Sequence, residues 1–126
     1  MVSDIVVQYT RLLRTSDIDL WVRLRELLRE RGLDPAETVV VDLLQESLHH
    51  EEGQIISAEG RVHRFHLSYD QRAEGGAAHA RIGKWTDVTD GWHDDSLTRR
   101  TADAFAWKAE QDRRAREGRS GPTAVS

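Results

Sequence analysis

The residue types able to do chemistry fall into three groups along this chain of 126 residues. The first is His49-His50-Glu51-Glu52, a run of metal-ligand types. Successive helical side chains point about 100° apart, so such a run seldom closes on one ion. It reads instead as a polar helix end, where imidazoles sit well beside exposed carbonyls. The second group is His63 and His66. Side chains alternate along a strand, so these two lie on opposite faces and share no site. His63, beside Phe65 and Leu67, reads as a core or edge histidine, and His66 with Arg64 as polar surface.

The third group is the stretch from Trp85 to Asp95, which holds two tryptophans, His93 and four aspartates. Asp87, Asp90, Asp94 and Asp95 are what a hard divalent cation wants. Their spacing, however, lacks the D-x-D-x-D-G pattern with a distal Glu, and turns and N-caps call for Asp on their own account. The tryptophans have the better claim, because an amphipathic Trp beside acids is a common interface anchor. A plain core role competes with that reading. Trp85, Trp92, Asp90, Asp94 and Asp95 form the candidate interface, with no catalytic residue assigned and no metal or cofactor expected.

The sequence contains no G-x-S-x-G, P-loop, H-E-x-x-H or G-x-G-x-x-G motif. It also lacks cysteine, which excludes disulfides and thiolate zinc sites. Lys84 and Lys108 are the only lysines, so Arg supplies the other 16 of 18 cations, a bias expected of a GC-rich bacterial genome. The net charge is −4, unevenly placed. From Ser96 onward seven cations face four acids, a net of +3, which leaves −7 on residues 1–95. An acidic body disfavours phosphate contact. Apolar runs are too short to span a membrane. The first residues carry neither a basic leader nor a small-residue cleavage site, which favours the cytoplasm.

The elements that must position these groups follow from periodicity. Ile5, Val6, Tyr9, Leu12 and Leu13 make one helical stripe over Ser3–Arg14. Thr15-Ser16-Asp17 caps a second helix with Ile18, Trp21, Val22, Leu24, Leu27 and Leu28 inward, ending at Gly32. Asp34-Pro35-Ala36-Glu37 is a helix start, and a third helix is expected from there to His49, burying Val40, Val41, Leu44 and Leu48. The β-branched run Thr38–Val41 keeps a strand open as the alternative. Gln54–Ala58 and Arg61–Tyr69 read as a hairpin turning at Glu59-Gly60, with Phe65, Leu67 and Tyr69 facing the core. Gln71–Ala78 reads as a flexible loop, Arg81–Val88 as a third strand, and Leu97–Arg116 as a final helix opened by Asp94-Asp95-Ser96.

The expected architecture is α+β: three N-terminal helices, a three-stranded antiparallel meander and one long C-terminal helix. Residues 1–117 form one domain, with 118–126 a disordered tail. Helices before a hairpin resemble a winged helix. The recognition helix would then carry Glu37, Asp42 and Glu46 and no cation, the wrong sign for DNA. The leading expectation is a protein-binding module of inhibitor, immunity or adapter type, its partner another protein of basic character. The alternatives are a nucleic-acid-associated regulator using Arg113, Arg114, Arg116 and Arg119, and a small enzyme with a site among Asp87, Asp90, His93 and the strand histidines.

Overall fold

Four short runs of sequence reach extended conformation and pair in chain order. β1 (Val39–Gln45), β2 (His50–Ile56), β3 (Val62–Ser68) and β4 (Arg81–Asp87) form one antiparallel sheet in the order β1-β2-β3-β4. Two helices precede it, α1 (Asp4–Thr15) and α2 (Asp19–Glu30), and α3 (Thr98–Val125) follows. The structure, a computed structural model, describes residues 4–45, 47, 49–70, 72–94 and 97–125, with side chains as far as Gly118.

Both faces of the sheet are covered at one end, and that decides which residues are apolar. Toward α2, Val40, Leu43, Ile55, Phe65 and Leu67 close the larger core with Leu13, Trp21, Leu24, Leu27 and Leu28. Toward α3, Val39, Val41, Ile56 and Val62 meet Val6 of α1 and Ala104 of α3, with Trp92, Phe105 and Trp107 packed around them. Val41 is the extra residue of a bulge, since Val40 pairs with Ile55 and Asp42 already with Gln54. α1 closes the outer edge of β1: the Val40 N–H donates to Thr10 Oγ1 (2.9 Å) and Arg14 Nη2 donates to the Thr38 carbonyl (3.2 Å).

Several expectations are corrected. The third helix is a single 3-10 turn, Pro35–Glu37, after which the chain runs directly into β1. The Asp34 cap is real, its side chain accepting the Ala36 N–H at 2.9 Å, but it caps one turn only. The sheet accordingly has four strands and two helices before it. With no helix at residues 39–45, the recognition helix of a winged-helix reading does not exist. His50–Glu52 begin β2 rather than ending a helix. Val40 and Val41 are buried as expected, Leu44 is exposed, and Leu48 and Glu46 lie outside the described residues. Ile18, expected inward, is exposed because it is the N-cap of α2 rather than part of its stripe.

Other elements stand near their expected places. The β2–β3 turn closes from Ser57 to Arg61, with Gly60 at φ 81° where a side chain would be strained. Gly76–His79, overlapping the end of the expected Gln71–Ala78 loop, form a 3-10 turn packed on α2, where Arg23 Nε donates to the Ala80 carbonyl at 2.9 Å. α3 runs further than the apolar spacing predicts. Among the described residues, no helix is long and apolar enough to cross a membrane.

Candidate interaction surface

The α3 side of the sheet is apolar only at the end where Val39, Ile56 and Val62 meet α3. The register then places polar residues across all four strands: Asp42 beside Gln54, Gln54 beside Arg64, Arg64 beside Thr86, and Glu52 beside His66, itself beside Lys84. Gln54 is the hub, only 1% exposed. Its Oε1 accepts from Arg64 Nε (3.3 Å) and Nη2 (3.0 Å), and its Nε2 donates to Thr101 Oγ1 (2.7 Å). Thr101 in turn donates to the Leu97 carbonyl at 2.9 Å. Arg64 also reaches Glu52 (3.4 Å), and Arg100 of α3 reaches Asp42 (2.8 Å).

These groups surround a shallow recess of about 170 Å³ between the sheet and the start of α3, with Leu44 and Leu97 as its apolar lining. Leu44 is 58% exposed although it lies inside a strand. The rim is charged and its side chains are held by one another. Preorganised polar groups around an apolar patch are how protein interfaces place their anchor contacts. The sequence reading missed this surface. Asp42 and Leu44 fall in the segment expected as helix, where the side of a strand they face is not legible.

The expected interface residues are not brought together. Trp85 sits on the α2 side, half-buried, stacked on Phe65 (5.6 Å) and His63 (4.9 Å), with Arg31 5.0 Å above its ring. Trp92 lies on the α3 side, half-buried against Phe105 (5.6 Å) and stacked on His93 (3.8 Å). Asp90 and Asp94 are exposed, and Asp95 lies outside the described residues. Asp87 is committed locally: it accepts from the Thr89 hydroxyl and N–H and from Arg61 Nε (2.9 Å), which hold its carboxyl far below the usual range. Among the described residues, no three His, Asp or Glu side chains converge as metal ligands would.

The histidines separate as alternation requires. His63 faces α2, where burial lowers its pKa against the opposing pull of Asp87, and its Nδ1 has no hydrogen-bond partner among the described residues. His66 is on the other face, opposite Glu52 and Lys84. Glu51, read from the sequence as part of a polar helix end, instead lies in β2. It is 7% exposed on the α2 side, and burial raises its carboxyl pKa, partly offset by a hydrogen bond from Tyr69. Of the basic cluster on α3, Arg113 bonds Glu110 and Glu117 (2.6 Å each) and Arg114 bonds Glu110 (3.0 Å). Arg116 is exposed, and the Arg119 side chain lies outside the described residues.

Compared with protein-family models, characterised proteins and solved structures, the chain matches none.

Proposed function

We propose that this protein is a protein-binding module whose contact surface is the open, α3-side part of its sheet. The observation that carries the reading is Leu44, 58% exposed near the end of β1 on the lining of a recess whose charged rim is fixed by mutual hydrogen bonds. Such a site captures one side chain of a partner at small entropic cost, since the rim is already ordered. Asp42 and Glu52 beside Leu44 and Leu97 suit a side chain with an aliphatic stem and a cationic tip. The −7 charge of residues 1–95 favours a basic partner and speeds its approach.

The nucleic-acid alternative has less support, because Arg113 and Arg114 already satisfy acids of their own helix. The enzymatic alternative loses Asp87 to the turn it caps. The test is an affinity capture from lysate with nuclease, run in parallel on the wild type and Leu44→Asp, with melting temperatures matched beforehand. One protein retained in near-stoichiometric amount by the wild type and lost by the variant is the expected result. Equal retention by both, or recovery of nucleic acid alone, overturns the proposal.

A further inference from the structure

The two edges of the sheet are treated differently. α1 packs along β1, where Thr10 accepts the Val40 N–H and Arg14 donates to the Thr38 carbonyl just before the strand. Among the described residues, no helix packs broadly on β4, whose one extensive contact is with β3, and most of its residues are exposed. The phase of its pairing is fixed by Val88, whose N–H donates to the Val62 carbonyl at 2.8 Å. Hydrogen-bonded and open pairs alternate in an antiparallel ladder. Thr86 and Lys84, opposite Arg64 and His66, therefore turn their N–H and C=O groups inward, and Trp85 and Asp87 turn theirs out. Unpaired outward groups of this kind are a template for another strand.

The bare segment has defined ends. Toward the N-terminus the ladder slips at Gly83, because Lys84 pairs with His66 while Ile82 pairs with Leu67. Toward the C-terminus the chain turns away at Val88, whose carbonyl accepts the Gly91 N–H. Lys84–Val88 is thus the usable length.

We propose that this edge pairs with the same edge of a second copy of the chain, antiparallel about a two-fold axis through Thr86. In that register Trp85 lies opposite the second copy's Asp87, so outward groups meet outward groups, and Lys84 lies opposite Val88. The two-fold axis keeps like faces of the two sheets on the same side. Arg31, seated 5.0 Å over Trp85 with no carboxylate partner among the described residues, then stands beside the second copy's Asp87, and symmetry makes this contact twice. Competing registers are worse. Centring on Asp87 sets that carboxylate against its own copy, and centring on Lys84 sets two ammonium groups together and draws the Gly83 slip into the ladder.

A pair this short buries well under 1,000 Å² and implies a weak, concentration-dependent dimer. It uses an edge rather than the open face, so it stands independently of the partner proposed above. In the dimer the two recesses lie on one side of a continuous eight-stranded sheet.

The chain has no cysteine, which allows a direct test. Thr86→Cys should form an intermolecular disulfide under mild oxidation, since open antiparallel pairs hold Cα atoms about 4.5 Å apart. Lys84→Cys, equally exposed on the same face, sits roughly 13 Å from its own copy in this register and should stay monomeric. Sedimentation equilibrium of the wild type from micromolar to millimolar concentration should show reversible dimerisation. Arg31→Glu should weaken it at least about tenfold by opposing the second copy's Asp87. A wild type that stays monomeric throughout, equal cross-linking of the two cysteine variants, or a dimer indifferent to Arg31→Glu overturns the proposal.

Discussion

Gly53 tests the α2-side packing most sharply. It lies in β2 between Leu43 and Phe65, and the Phe65 ring lies over its bare backbone. A Cβ added there would overlap the ring, standing 2.6 Å from Cε2 and 2.9 Å from Cε1. Carbon atoms rest about 3.5–4.0 Å apart, so the ring must withdraw by more than about an ångström. It has nowhere to go, being 1% exposed and stacked on Trp85. Overpacking of this kind costs about 1–3 kcal/mol, and the rigidity of the site argues for the upper part of that range. A gain of about 0.5–1 kcal/mol from replacing glycine within a strand offsets part of it. Gly53→Ala should therefore destabilise by about 2 kcal/mol. Phe65→Leu alone, which empties the space over the glycine, should cost about 1–2 kcal/mol. In the double variant the alanine methyl occupies the vacated space, so the total should stay near 2 kcal/mol rather than reach the additive value. Urea unfolding followed by tryptophan fluorescence measures all three, and Trp85 reports the ring shift in the native baseline. If Gly53→Ala costs under about 0.5 kcal/mol, or the two changes simply add, the ring does not lie on the glycine and the reasoning fails.

Other outcomes follow from single contacts. Thr10→Val deprives the buried Val40 N–H of its acceptor and should cost about 1–3 kcal/mol in chemical denaturation, with Thr10→Ser restoring most of it. Thr101→Val should cost a similar amount, because it leaves the buried Gln54 amide without its 2.7 Å partner; a change within 0.5 kcal/mol (roughly the level of a neutral surface substitution) would refute that role. Glu51 takes up its proton more readily folded than unfolded, so wild-type stability should fall as pH rises from the ordinary carboxylate range through the raised folded value, then level off. Glu51→Gln should lack that slope and exceed the wild type near neutrality, the advantage vanishing in acid; parallel unfolding curves across pH would contradict the burial of that carboxyl.

Legibility in the sequence tracked how one-sided each element's environment is. α1 and α2 each bury a single stripe, so a 3.6-residue period appears and both helices are found, but the Thr15-Ser16-Asp17 cap is not made and Ile18 takes the N-cap position instead. β3 and β4 border the open part of the sheet and keep enough alternation to be found. β1 fails because Val39, Val40 and Val41 are all buried, two against α3 and one against α2, which erases the two-residue period. The capped Pro35 turn just before it is a genuine helix start that tertiary packing ends after one turn. The candidate surface depends on knowing which side of β1 faces α3, so it disappeared with that strand. The local chemistry of Asp87 was foreseeable as turn capping. The separation of Trp85 from Trp92 required the sheet itself.

That α3 follows the whole sheet in the sequence has a consequence for how the fold is completed. Ala104, Phe105 and Trp107 cover Val39, Ile56 and Val62, and the latches Arg100–Asp42 and Thr101–Gln54 join residues some 47 to 58 positions apart. Closing loops of that length is entropically slow, so this half of the molecule condenses late. During vectorial synthesis the sheet and its α2-side core can assemble first, while three β-branched side chains stay wet until the last helix emerges. A chain interrupted before Ala104 would keep that apolar strip exposed permanently, which makes α3 the guard against aggregation of the residues before it.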